Sequence, residues 1–68
     1  MTKWDAPVPL EQMRDGLLGI RAAILTAALV DAKPADPELK SALEDCMAEI
    51  ARRGDPEDAK IGFAMFMP

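Results

Sequence analysis

The sequence predicts an all-α protein: an antiparallel helical hairpin with a short third helix, dimerising into a helical bundle. Three observations carry this expectation. Apolar residues recur at helical spacing through two long stretches. Asp-Pro-Glu triplets and a glycine punctuate the chain where helices start and stop. Half the residues are apolar but only Trp4, Phe63 and Phe66 are aromatic, and the remainder is dominated by Ala, Leu, Ile and Met, which are mostly good helix formers.

Residues 1–9 read as an extended lead-in. Ala6-Pro7-Val8-Pro9 alternates prolines with residues that proline pushes away from the helical region, and Pro9 suits the first turn of a helix. From there Leu10, Met13, Leu17, Ile20, Ile24 and Ala27 follow a 3-4 spacing, which predicts a first helix over 10–32. Its stop lies at Asp31-Ala32-Lys33-Pro34. Asp36-Pro37-Glu38 then supplies a capping oxygen, a residue suited to the first helical position and a charge favoured at the positive helix end. The second helix, 37–53, carries Leu39, Leu43, Cys46 and Ile50 on one stripe, with Glu38, Glu44, Asp45, Glu49 and Arg52 towards water. Arg52-Arg53 in the last turn and Gly54 beyond it form a usual C-terminal arrangement. Asp55-Pro56-Glu57 repeats the start signal for a third helix over 56–66. The residues after the two triplets do not match, so shared capping chemistry explains them better than an internal repeat.

Sixty-eight residues make a single domain, here 10–68, whose own core is marginal, since a chain of this size buries only about 60% of its unfolded surface. Disulfides, metals or a second chain usually compensate. With one cysteine and no histidine, an intrachain disulfide and a His-based metal site are both excluded, and no calcium-loop spacing occurs. A second chain is the remaining route. The net charge of −4 and the scattered Lys and Arg disfavour nucleic acid, which needs clustered basic residues. The densest apolar run, Leu17 to Val30, spans 14 residues against the ~20 needed to cross a bilayer. The first ten residues do not resemble a signal peptide, and with a free thiol this points to the cytoplasm.

At 100° per residue the first helix shows three apolar faces. Leu10, Met13, Leu17, Ile20, Ile24 and Ala28 form a wide one of large side chains. Leu18, Leu25 and Leu29 form a second, set apart by Arg14 and Arg21. Gly16, Gly19, Ala23, Ala27 and Val30 form a third, of mostly small residues. A helix apolar nearly all round should be buried nearly all round, and two short neighbours leave an excess for a partner. Gly19, Ala23 and Ala27 allow close backbone approach by a second chain or by the second helix. Arg21 can lay its stem along Leu17 and Leu25, pairing with an acid or serving an interface. At the other end Phe63, Phe66 and Met67 sit in an apolar tail that either closes the core or docks on a partner.

Catalytic chemistry finds no footing. Ser41 and Cys46 lie on different faces of one helix without a histidine base, and Cys46 reads as a small core residue. Gly16-Leu17-Leu18-Gly19 lies inside a helix and matches no phosphate loop. No cofactor, metal or small-molecule substrate is indicated. The expected function is therefore a small non-enzymatic regulator or adaptor, such as an antiactivator or phage-type inhibitor, that binds another protein, itself, or both. An accessory subunit docking by its tail is the alternative. A helix-turn-helix DNA binder is the third, with only Lys60 basic on its third helix.

Overall fold

A computed structural model describes residues 8–32 and 36–67. Within them a 3-10 turn (Leu10–Gln12) precedes α1 (Asp15–Asp31), α2 (Pro37–Arg52) and α3 (Glu57–Phe66), with no strand. The class is all-α, as the composition and spacing predict, and the packing fits a small bundle. Most of the lead-in, with Trp4, and the Lys33-Pro34 stop fall outside the described residues.

The first helix differs from its expected bounds: it starts at Asp15, not Leu10. Pro9, at φ −54°, launches a tight turn closed by Gln12 N–H to Pro9 O (2.9 Å) and Met13 N–H to Leu10 O (3.1 Å). Met13 and Arg14 are then extended, with ψ 145° and 153°. At this break Arg53, at the end of α2, donates to two backbone carbonyls. Its Nη1 donates to Met13 O at 2.6 Å and its Nη2 to Leu10 O at 2.9 Å. Met13 itself is buried. A 3-10 turn has three residues per turn, so the apolar spacing runs through the interruption almost unaltered.

Asp36 caps α2 as its neighbours suggest. Its Oδ1 accepts from the N–H groups of Glu38 (3.0 Å) and Leu39 (3.4 Å), and Pro37 occupies the first turn. The other end closes as a Schellman motif: Gly54 N–H donates to Ala51 O (3.0 Å) and Asp55 N–H to Ile50 O (3.1 Å). Gly54 adopts φ 78° and Asp55 φ 51°, the left-handed region that glycine enters freely and aspartate tolerates better than most residues. The second Asp-Pro-Glu triplet therefore works unlike the first. Asp55 ends α2, and α3 starts at Glu57, after Pro56, with no side-chain cap.

α1 is the shared element, packed against both α2 and α3. Three arcs of its surface, about a third of a turn apart at 100° per residue, have separate fates. Leu18, Ala22 and Leu25 are buried with Leu39, Cys46 and Ile50 of α2, and Leu29 and Leu43 pack beside them. Gly19 and Ala23 are buried on the arc that meets α3. The third arc carries Leu17 and Ile24, which stay exposed. The stripe of α2 settles over Leu18 and Leu25, and the small-residue arc admits α3. Leu17 and Ile24 lie opposite those two neighbours.

Candidate functional site

The residues expected to reach a partner separate into two groups. Leu18 and Leu25 are 0% and 2% exposed within the single chain, and Leu29 is partly buried against the same core. They hold α1 to α2 and offer no outer surface, which corrects their assignment to an interface. The small stripe is also consumed internally. A Cβ added at Gly19 would lie 1.9 Å from Ala59 O, and one at Gly62 would lie 2.5 Å from Gly16 O. The two helix backbones thus touch where glycines cross. Of the close approach foreseen along Gly19, Ala23 and Ala27, the part at Gly19 is made by α3, and Ala23 is buried. Ala27, farther along, is partly buried. Arg21 is also partly buried, and its charge acts on the Cys46 thiol. In the tail, Phe63 packs against the core and Met67 is partly buried, while Phe66 is half exposed.

What remains open is the arc of α1 away from α2 together with the outer side of α3. Leu17 and Ile24 of α1 are 50% and 51% exposed, and Ile61 and Met65 of α3 are 51% and 74% exposed. Leu17, Ile20, Ile61 and Met65 line an open groove of about 710 Å³ whose lining includes Gly16 and Gly62. Arg14, Asp15 and Asp58 line the same groove, with Arg14 and Asp58 exposed. The groove is shallow, and Gly16 and Gly62 bring no side chains to its floor. Comparison with protein-family models, curated proteins and solved structures finds no match.

A smaller recess of about 220 Å³ lies where α2 and α3 diverge, lined by Met47, Ile50, Asp55, Ala59, Lys60 and Phe63. Among the described residues, no group of three or more Cys, Asp or Glu is placed to hold a metal ion. No described helix is long and apolar enough to cross a membrane.

The most developed polar cluster serves the fold. Arg53 also binds the Asp15 carboxylate at 2.8 Å and Glu49 at 2.7 Å. Arg52 pairs with Glu49 as well. Hydrogen bonds from Arg52 and Arg53 hold the Glu49 carboxyl at about 2, well below the ordinary carboxylate range. The sequence marks Arg52 and Arg53 only as end-of-helix cations. Reach across the fold to Leu10 and Met13 leaves no local pattern. Cys46 donates its S–H to Leu18 O at 3.3 Å. Burial pushes its thiol pKa up, partly offset by Arg21, which suits a packed side chain and not a nucleophile.

Proposed function

We propose that this chain is a small non-enzymatic protein-binding module, a regulator or adaptor, and that its binding surface is the α1–α3 face. The exposed apolar row Leu17, Ile24, Ile61 and Met65 carries the reading. Contiguous apolar surface bordered by charge is how soluble proteins mark contact sites, and a groove between two helices accepts an amphipathic segment. We also infer that α1 and α2 form an antiparallel hairpin. Cys46 meets Leu18, while Arg53, seven residues later, meets Asp15 and Met13, so the contacts run in opposite order along the two helices. A cytoplasmic setting fits the free thiol at Cys46.

Docking by the tail alone is a second reading, favoured by the exposure of Phe66 at the end of α3. Photo-crosslinking side chains placed singly at positions 17, 65, 66 and 44 in the native host discriminate between them. The groove reading expects one protein captured from 17 and 65, with Glu44, exposed on α2, silent. Capture from 66 alone transfers the role to the tail. Equal labelling from all four positions removes both readings.

A further inference from the structure

We propose that the partner on the α1–α3 face is a second copy of this chain, docked about a two-fold axis with Arg14 of each copy against Asp58 of the other. The inference rests on the protein-binding reading and names its occupant. A two-fold interface uses one patch twice, so the patch must complement itself in shape and charge. This face does both. It presents exposed side chains (Leu17, Ile61, Met65) beside a groove over Gly16 and Gly62, so one copy's projecting residues can enter the other's recess.

The groove carries both signs as well. Arg14 and Asp58 are exposed, and among the described residues neither makes an ion pair. A heterologous acidic or basic helix would satisfy one of them and oppose the other. The same patch turned through half a revolution satisfies both. The chain's net charge of −4 repels copies at a distance, so the attraction must come from this local match and from apolar burial.

A standard interface takes about 800 Å² from each partner, roughly a sixth of the chain's 4685 Å² accessible surface. A chain this short with no disulfide also gains most from such burial.

The test is the mass of the purified full-length chain by sedimentation across a concentration series. The expected result is a dimer that Leu17→Glu and Met65→Glu each convert to monomer, with helical content retained because both residues are exposed. Arg14→Asp or Asp58→Arg alone should weaken association by roughly 2- to 30-fold, and the double swap should restore it. A wild-type chain that is monomeric at about 1 mM, the weak end of specific contacts, overturns the proposal. So does a dimer indifferent to Leu17→Glu and Met65→Glu, or a double swap no tighter than the single ones. A monomer whose positions 17 and 65 still crosslink to another protein overturns the dimer while leaving the protein-binding reading in place.

Discussion

Gly16 and Gly19 lie one turn apart on the same helix, yet replacing each by alanine should move stability in opposite directions. In a helix interior Gly→Ala gains roughly 0.5–1 kcal/mol from reduced backbone freedom. Gly16 is the second residue of α1, where the gain is smaller than in the interior, and the added methyl meets only Asp58 O at 4.0 Å, an ordinary contact, so a modest gain should appear. At Gly19 it meets Ala59 O at 1.9 Å, Ala59 C at 2.7 Å and Ala59 Cα at 2.9 Å. These are backbone atoms, so no side chain can swing aside. α3 must withdraw by about 1.5 Å to reach normal separation, and overpacking of this kind costs typically 1–3 kcal/mol or more. After the propensity gain, Gly19→Ala should lose about 2 kcal/mol, a large share of the roughly 3–10 kcal/mol expected of a 68-residue domain. At 4–8 °C per kcal/mol the midpoint falls by about 8–16 °C for Gly19→Ala, while Gly16→Ala raises it by about 4 °C at most. Thermal and urea unfolding followed by circular dichroism, at one protein concentration, measures both. A Gly19→Ala protein as stable as the wild type would refute the backbone contact between α1 and α3.

Three further perturbations test other parts of the structure. Arg53→Met removes the hydrogen bonds to Leu10, Met13, Asp15 and Glu49; amides of the 3-10 turn should lose hydrogen-exchange protection before those of α2, and unchanged protection there would remove Arg53 as the tether. The Glu49 carboxyl is held down at about 2, so it contributes stability that is present above the ordinary carboxylate pKa of about 4.3 and lost as pH falls towards 2. Urea midpoints between pH 6 and 2 should therefore decline, and less steeply in Glu49→Gln. The Cys46 thiol is buried with a raised pKa. Its contribution is intact below the ordinary thiol value and lost as pH rises above it, so stability should decline above about pH 9 in the wild type but not from this source in Cys46→Ala. Alkylation of Cys46 should proceed only as fast as the fold opens, and labelling at the rate of a free thiol would contradict its burial.

The helices were legible where the signal was local. Asp36 with Pro37 and Glu38, and Gly54 after Arg52-Arg53, mark real ends because caps depend on neighbours within a few residues. The start of α1 was not legible, since the break before Asp15 is held by Arg53, about forty residues away, donating to the Leu10 and Met13 carbonyls. The faces of α1 were separated correctly and assigned wrongly. Periodicity groups Leu17 with Ile24 and Leu18 with Leu25, but nothing in either group says which one a neighbour will cover. The excess of apolar circumference was visible in advance; its address, with Ile61 and Met65 across the groove, appears only once α3 is in place. Gly62 was the missing clue. It sits opposite Gly16, and a second glycine-bearing helix was the natural mate for the small stripe.

The glycine crossing also ties the interior to the rim. Whatever lies on the α1–α3 face feels the distance between Leu17 and Ile61, and that distance is set underneath, by two backbones resting on each other. In a screen for lost binding, Gly19 would surface beside the exposed residues though it is buried beneath them and lines no part of the groove. Its variants would betray themselves by a lowered melting point of the single chain, which contact variants leave unchanged.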